Sequence, residues 1–327
     1  MDRTDASRGR IAPRRHSGKR RPGRLRLVPA LLAAVACAQA DGAGAADWSR
    51  RTLEMGGVTR DYHLLRPDPS GPAPTLVLLQ GALQEPLAFA ASTGLPALAE
   101  RQGFALVVPE TVDGHWNDGR RTVYFGTPSQ ADDRGFLEAL LARLAAEGIA
   151  DPEAIRLAGF SNGGLMALTL ACRPAAIRPA GLLVVAATLG ERLAASCDPP
   201  RPLALLLANG TADDLFPYAG GMGLVNGRAG EPMLGAAATA AFFAARNGCG
   251  KPVPRAAGGE AMGLGHGVGV TGHAGCPAGG GVVQVTIAGG GHAWPTEAVR
   301  SLGAAAGLPG AASLAELAWA VFAGRAD

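Results

Sequence analysis

A serine between two glycines is the first residue of this sequence with a clear chemical use. Ser161 stands in the run Gly159-Phe160-Ser161-Asn162-Gly163, directly after the apolar segment 154–158. A strand that turns sharply into a helix leaves no room for side chains two residues before and two residues after the serine, so glycines are needed there. Such a turn exposes the hydroxyl group for attack on a substrate. The pattern therefore predicts a nucleophile at Ser161.

An acidic residue and a histidine occupy matching places further along the chain. Asp213 follows the apolar segment 203–208, and His292 follows the apolar segment 282–287. The carboxyl ends of parallel strands lie at one edge of a sheet, so three distant segments can meet there. The order serine, aspartate, histidine is the one found in α/β-hydrolases. These residues predict a triad in which the imidazole takes the serine proton and the carboxylate orients the imidazole.

Some neighbouring residues compete for these roles. Asp214 is the alternative to Asp213, and either could follow the strand closely enough. The adjacent acids Asp132 and Asp133 are expected to cap the helix that they open rather than to act in catalysis. The remaining candidate histidines are expected to be non-catalytic, one in an early strand and three in solvated loops: His63, His115, His266 and His273.

The first forty residues differ in composition from the rest of the chain. They hold ten of the 30 Lys and Arg residues, two of the 27 acidic residues, and an apolar run at 25–38 before Ala38-Gln39-Ala40. This pattern predicts an export signal over residues 1–40, too short for a membrane span, and hence a secreted or periplasmic protein. A lipid attached to Cys37 is the rival interpretation. Without the signal, 20 basic and 25 acidic residues remain, a formal charge of −5, so no feature predicts nucleic-acid binding.

Four cysteines remain after the predicted signal, and an even count in an exported chain suggests two disulfide bonds. We favour Cys172 with Cys197 and Cys249 with Cys276, because each pair closes a short local loop. Free buried thiols are the alternative. No C-x-x-C spacing is present, so no metal site is predicted.

Strand-like and helix-like segments alternate along residues 47–327, which we expect to form a single domain. The alternation predicts a mostly parallel twisted sheet with helices on both faces. About fifteen residues separate the predicted strand that ends near 187 from the one that begins at 203, so no large lid is expected between them. The Gly-rich segment 248–280 is either a loop beside the site or a surface embellishment. Predicted strands cover 52–66 (a hairpin), 74–80, 104–108, 181–187, 203–208 and 282–288, and predicted helices cover 86–102, 132–148, 162–173, 232–247 and 312–323.

Six blocks of the sequence are more specific together than the serine motif alone. They are Trp116-Asn117-Asp118-Gly119, Asp132-Asp133-x-Gly135-Phe136, Gly159 to Gly164, Gly210-Thr211-Ala212-Asp213 with Pro217-Tyr218, Asn247-Gly248-Cys249, and Gly290-Gly291-His292-Ala293-Trp294-Pro295. This set resembles the polyhydroxybutyrate depolymerase-like esterase family, which includes feruloyl and acetylxylan esterases. The resemblance covers nearly the whole chain after the signal. It implies an α/β-hydrolase fold and a secreted serine esterase that needs no cofactor.

The resemblance also implies which backbone groups stabilise the tetrahedral intermediate of the reaction. The backbone N–H groups of Asn162 and Ala82 are the expected oxyanion-hole donors, with Leu83 as the alternative to Ala82. Two positions depart from the family pattern. Gln80 stands where the family usually has histidine, which puts the geometry of the oxyanion loop in question, and Thr296 stands where it usually has glycine.

The substrate is the least defined part of the prediction. Leu83, Trp116 and Trp294 are expected to line the acyl or alcohol pocket. The candidate substrates are hydroxyalkanoate oligomers, feruloyl or acetyl esters, and other short acyl esters, acted on by a monomer. A peptidase of the prolyl oligopeptidase type and a non-catalytic exported protein that binds lipid or polymer are the alternatives.

Overall fold

A computed structural model describes residues 47–122, 126–173, 175–199, 202–225, 227–258, 267–295 and 313–324. All of these lie in the second of the two units into which the chain divides, residues 45–327. The predicted export signal, Cys37, His266 and Thr296 lie outside the described residues. The proposals about them, and the assignment of 47–327 to a single domain, therefore remain predictions.

The described residues contain the following strands and helices. The strands are β1 (Trp48–Met55), β2 (Val58–Leu65), β3 (Ala73–Leu79), β4 (Ala105–Pro109), β5 (Ala150–Phe160), β6 (Gly181–Val185), β7 (Ala204–Gly210), β8 (Gly220–Gly221), β9 (Leu224–Val225), β10 (Arg228–Ala229), β11 (Met233–Leu234), β12 (Pro252–Gly258), β13 (Val268–His273) and β14 (Val282–Ile287). The helices are α1 (Pro86–Thr93), α2 (Leu95–Gln102), α3 (Asp133–Ala146), α4 (Asn162–Cys172), α5 (Glu191–Ala194), α6 (Ala236–Asn247) and α7 (Leu314–Phe322).

Ten strands form one sheet in the order β1-β2-β4-β3-β5-β6-β7-β14-β13-β12. The six central strands, from β4 to β14 in that order, are all parallel to one another. The pairs at the two margins of the sheet are antiparallel. The predicted mostly parallel sheet is therefore confirmed.

Helices cover both faces of the sheet because its central strands are apolar on both sides. The strands β4, β6 and β7 are buried at every position, as expected for strands in the middle of a covered sheet. One core packs α3, α4 and α6 against the sheet, and the other packs α1, α2 and α7. Between β6 and β7 the described residues add only the four-residue α5, so that segment holds no large lid.

Two parts of the predicted secondary structure differ from the fold. The predicted helix 86–102 is divided into α1 and α2 at Gly94, whose φ of 75° lies in the left-handed region that ends a helix. The segment 248–280 was expected to be irregular, but it contains β12 and β13. β13 extends the sheet antiparallel to β14, and β12 pairs antiparallel to β13 at the edge. Two prolines in β12 and two glycines in β13 weaken the alternating pattern by which strands are recognised.

The structure contains disulfide bonds between Cys172 and Cys197 and between Cys249 and Cys276. The first links the C-terminal end of α4 to the segment before β7. The second joins the two ends of the β12–β13 hairpin. No helix among the described residues is both long and apolar enough to cross a bilayer.

Candidate active site

Ser161 occupies a strained turn between β5 and α4. Its backbone has φ 54° and ψ −120°, a region that residues with a side chain seldom adopt. The flanking glycines make the turn possible. A Cβ on Gly159 would lie 2.3 Å from the carbonyl oxygen of Gly163, and a Cβ on Gly163 would lie 2.1 Å from the carbonyl oxygen of Leu79. The strand, the turn and the buried helix behind it together fix the direction of the Ser161 side chain.

The structure brings Ser161, His292 and Asp213 into one hydrogen-bonded chain. The Nε2 atom of His292 lies 2.8 Å from Ser161 Oγ, and its Nδ1 atom lies 2.8 Å from Asp213 Oδ2. An ionised carboxylate only accepts hydrogen bonds, so in the neutral imidazole Nδ1 carries the proton and the Nε2 lone pair faces the serine hydroxyl. This is the protonation pattern that a general base requires.

Asp213 is held by more than the imidazole. Its Oδ1 atom accepts hydrogen bonds from the backbone N–H groups of Leu215 and Phe216, each at 2.9 Å. The side chain is fully buried, whereas the neighbouring Asp214 is exposed. The carboxylate that contacts His292 therefore belongs to Asp213, which leaves Asp214 without a place in the chain of hydrogen bonds.

The other described histidines lie outside the hydrogen-bonded chain. His63 lies on β2 of the early hairpin, and its Nε2 is 2.8 Å from a carboxylate oxygen of Glu110, which follows β4. His273 was expected in a solvated loop, but it ends β13 and is buried, with Nδ1 3.1 Å from the carbonyl oxygen of Gly250. His115 lies in the loop before Trp116 and lines the cavity at Ser161. Sequence spacing had marked none of the three for catalysis.

The turn after β3 presents the proposed oxyanion donor Ala82 to the same cavity as Ser161. Leu83, the alternative donor, uses its N–H in a hydrogen bond of 2.7 Å to the carbonyl oxygen of Gly114. Among the described residues, the N–H groups of Ala82 and Asn162 have no protein acceptor. Neither N–H group therefore has a competing acceptor in this part of the chain, and their role as oxyanion donors stays a prediction.

Asn162 connects the Ser161 turn to the loop that carries Trp116. Its Oδ1 accepts the Trp116 N–H at 2.6 Å, and its Nδ2 donates to the Trp116 carbonyl oxygen at 3.0 Å. The Trp116 indole N–H in turn donates to the carbonyl oxygen of Gln80 at 3.0 Å. Trp116 therefore joins the nucleophile turn to the strand end that precedes Ala82. Gln80 itself is buried, and its Oε1 has no partner among the described residues.

Two buried ion pairs stabilise the loop that carries Trp116. Asp118 accepts from Asn162 Nδ2 at 2.7 Å and pairs with Arg120 at 2.9 Å. Asp133 accepts from the Asn117 N–H and from Arg60, each at 2.7 Å. Burial raises the pKa of Asp133 above its usual value, and the hydrogen bonds from Asn117 and Arg60 oppose that rise.

The helix cap predicted for the adjacent acids Asp132 and Asp133 is confirmed for Asp132. Its Oδ1 accepts the N–H of Gly135 at 2.9 Å at the start of α3. Asp133 serves the ion pair with Arg60 instead. Arg60 could not be recognised as that partner from sequence patterns, because it lies 73 positions earlier on β2.

A cavity of about 230 Å³ opens at Ser161. Its wall is largely apolar, with Leu83 among the lining residues. Trp116 is fully buried behind the Gln80 carbonyl, and Trp294 packs edge-on against Phe89 at 5.5 Å. Neither tryptophan is a lining residue. The full lining consists of Ala82, Leu83, Gln84, His115, Arg120, Phe160, Ser161, Asn162, Leu215, Phe216 and His292.

A larger cavity of about 330 Å³ lies on the other side of Arg120, and none of the triad residues lines it. The smaller cavity is the one that matters for chemistry, because it contains both Ser161 and His292. Within the described part of the chain, no group of three or more His, Cys, Asp or Glu side chains could hold a metal ion.

Comparison with known proteins supports the same enzyme class. The model of the family described as esterase PHB depolymerase matches residues 64–198, which include Ser161 but neither Asp213 nor His292. A curated relative from Nocardia uniformis subsp. tsuyamanensis, NocK, is named as a candidate esterase. It is 28% identical over 258 residues, which make up 75% of this chain and 73% of the relative.

One solved structure is similar over most of its length. The acetyl xylan esterase from Aspergillus awamori has 12% sequence identity and a TM-score of 0.50, covering 75% of this chain and 94% of that enzyme. This similarity concerns the fold alone and agrees with the predicted α/β-hydrolase fold. The family match confirms the predicted resemblance, and with it the enzyme class of carboxylic-ester hydrolase.

Proposed function

We propose that this protein is a serine esterase that hydrolyses short carboxylic esters through Ser161, His292 and Asp213. The observation that carries the proposal is the pair of 2.8 Å contacts that link the three side chains. The strained backbone at Ser161 adds support, because such strain persists at functional sites where the surrounding structure holds it.

In the first half of the reaction, His292 Nε2 takes the Ser161 proton while Oγ forms a bond to the ester carbonyl carbon. Asp213 stabilises the resulting imidazolium. The tetrahedral intermediate then collapses: the bond to the alcohol oxygen breaks, and His292 returns the proton to the leaving alcohol. Ser161 is left as an acyl-enzyme.

In the second half, water replaces the alcohol. His292 takes a proton from the water as its oxygen bonds to the acyl carbon, and then returns the proton to Ser161 Oγ as the acid departs. The negative oxygen in both halves is stabilised by the N–H groups of Ala82 and Asn162. The loss of one such donor costs about 3 kcal/mol of transition-state stabilisation.

The cavity favours a small acyl group. A volume of about 230 Å³ with an apolar lining suits acetyl, butyryl or hydroxybutyryl chains better than long ones. Hydroxyalkanoate oligomers and acetyl or feruloyl esters of polysaccharide are the natural substrates that we propose. Acetyl xylan is the substrate in the name of the fungal enzyme with the similar fold.

A panel of esters tests this function. Purified protein is assayed with p-nitrophenyl acetate, butyrate and octanoate, methyl ferulate and hydroxybutyrate oligomers, beside the Ser161→Ala variant. We expect hydrolysis that is fastest for acyl chains of two to four carbons and absent in the variant. No hydrolysis of any ester by folded protein would support a non-catalytic binding protein instead.

We also propose that the first forty residues direct export of the protein and are then removed, and that the protein acts as a monomer. The two disulfide bonds support export, because such bonds persist in oxidising compartments. N-terminal sequencing of protein recovered outside the cytoplasm tests the cleavage, and a mature chain that retains residues 1–40 would contradict it.

A further inference from the structure

The turn over residues 81–84 has an unusual arrangement of backbone N–H groups. It follows β3 directly and faces the cavity at Ser161. Leu83 has φ 64°, a left-handed conformation that is uncommon for leucine. A residue held in such a conformation needs specific contacts around it.

Three of the four N–H groups in this turn are already used. The Gly81 N–H donates to the side-chain Oε1 of Gln84 at 2.8 Å. The Leu83 N–H donates to the carbonyl oxygen of Gly114 at 2.7 Å, and the Gln84 N–H lies 3.4 Å from the carbonyl oxygen of Gly81. Only the Ala82 N–H has no acceptor among the described residues.

We propose that Gln84 is a positioning residue for the oxyanion hole: its side chain holds the Gly81 N–H and so aims the next N–H, that of Ala82, at the cavity. The proposal rests on the esterase function above and deepens it. Gln84 acts through Gly81 and Ala82, and its hydrogen bond is not part of the reacting chain.

The chemistry of the contact fixes its direction. A backbone N–H can only donate, so the atom of the Gln84 amide that faces Gly81 is the oxygen. Gly81 is buried, and without this acceptor its N–H would lack a partner. The Gly81–Ala82 segment would then lower its free energy by rotating towards another acceptor, which would misdirect the Ala82 N–H.

The space around Gly81 explains why a side chain from the same turn supplies the acceptor. A Cβ on Gly81 would lie 2.8 Å from the Phe160 ring and 3.0 Å from Gln84 Oε1. The backbone is thus packed against the residue that precedes Ser161. A displacement of the turn changes the distance between the two proposed donors, and a shift of about 1 Å can lower the rate of a reaction about 100-fold.

The sequence contains a sign of this role that composition cannot reveal. Gln84 lies three residues after Gly81, the spacing at which a side chain reaches back across a tight turn to a backbone N–H. The residue is exposed and could pass for an ordinary loop glutamine. Only the contact with Gly81 and the shared cavity with Ala82 distinguish it.

The test compares Gln84→Leu, which keeps much of the side-chain volume without the acceptor, with Gln84→Ala and with the control Gln102→Leu. Gln102 is exposed at the end of α2, and the cavity lining does not include it. For each protein we measure kcat and KM with p-nitrophenyl acetate, the inhibition constant of a trifluoromethyl ketone, and the midpoint of thermal unfolding.

Both Gln84 variants are expected to lose about 10- to 100-fold in kcat, with KM within about threefold of the wild type. The inhibition constant should rise by the same factor as kcat falls, because the ketone forms a tetrahedral oxyanion adduct. The Gln84 variants should remain folded at the assay temperature, and the Gln102→Leu control should match the wild type in every measurement. A merely structural role would not lower the affinity for the ketone and the value of kcat by the same factor.

Wild-type kcat and ketone affinity in both Gln84 variants would overturn the inference and leave the esterase function standing. A fall in kcat with unchanged ketone affinity would overturn it as well. Absence of ester hydrolysis in the wild type would instead overturn the proposed function, so the two failures are distinguishable.

Discussion

The side chain of Asn162 and the backbone of Trp116 bond to each other in both directions. The Trp116 N–H donates to Asn162 Oδ1 at 2.6 Å, and Asn162 Nδ2 donates to the Trp116 carbonyl oxygen at 3.0 Å. Asn162 follows the proposed nucleophile, and the Trp116 indole holds the Gln80 carbonyl oxygen, two residues before Ala82. One residue thus ties together the two chain segments that supply the proposed oxyanion donors.

Replacing Trp116 with phenylalanine tests that connection. Trp116→Phe keeps an aromatic ring but leaves the Gln80 carbonyl oxygen without its donor. An unsatisfied buried acceptor costs about 1–3 kcal/mol of free energy. We expect kcat to fall about 10-fold or more. The factor should be the same for acetate, butyrate and octanoate esters, because Trp116 does not line the pocket. The control Trp294→Phe should retain kcat. A change in acyl-chain preference in Trp116→Phe would show that the ring contacts substrate.

Replacing Asp213 with asparagine tests the tautomer of His292. In Asp213→Asn, the N–H groups of Leu215 and Phe216 require the amide oxygen, so the amide NH2 turns towards His292 Nδ1. Nδ1 must then accept, so the ring proton lies on Nε2, which can no longer take the proton of Ser161. We expect kcat to fall about 10⁴-fold, as in a comparable protease substitution.

The matched control for that substitution is Asp214→Asn, at the exposed neighbouring position. Steady-state assays with p-nitrophenyl acetate should give it kcat within about threefold of the wild type, as expected for a surface change. Equal losses in the two variants would contradict the assignment of the catalytic carboxylate to Asp213.

The ion pair of Arg60 and Asp133 gives a prediction about stability. Both side chains are almost fully buried, and Arg60 also lies over the Phe136 ring at 4.0 Å. Asp133→Asn leaves a buried guanidinium without its counter-charge, which should lower the free energy of unfolding by about 3–5 kcal/mol.

The exposed ion pair of Arg50 and Asp61 provides the comparison. Asp61→Asn should cost less than about 1 kcal/mol, because water already solvates these charges. Urea unfolding at pH 7 measures both variants. Equal costs would mean that the buried pair contributes no more than a surface contact.

The disulfide bond of Cys172 and Cys197 should stabilise the fold without affecting the chemistry. It closes a loop with a sequence separation of 25, for which chain entropy predicts about 3.5 kcal/mol. Cys172 ends α4, about 16 Å along the helix axis from Ser161 at 1.5 Å per residue. The double variant Cys172→Ala with Cys197→Ala should therefore unfold at a lower urea concentration and keep its kcat. A large loss of kcat below the unfolding transition would contradict this separation.

The positions of the proposed catalytic residues could be read from the sequence because they depend on topology. Each follows an apolar strand, and parallel strands end at one edge of the sheet. The central strands were recognisable for the same reason, since burial on both faces leaves continuous apolar runs. These features need no knowledge of side-chain contacts.

The contacts that orient the site could not be read in this way. Trp116 was expected in the pocket, but it lies behind the Gln80 carbonyl, because the direction of a loop aromatic depends on partners 36 and 46 positions away. The strands β12 and β13 were missed because prolines in β12 and glycines in β13 interrupt the pattern by which strands are recognised. The partner of Asp133 is likewise remote in sequence.

Mass spectrometry after reaction with a fluorophosphonate tests the proposed nucleophile most directly. The reagent phosphonylates an activated serine, so we expect one adduct per folded chain, on the peptide that contains Ser161. The adduct should be absent from Ser161→Ala and should form more slowly in His292→Ala. An unmodified Ser161 in folded wild-type protein, or an adduct on another serine instead, would contradict the proposal that these three residues form a catalytic triad.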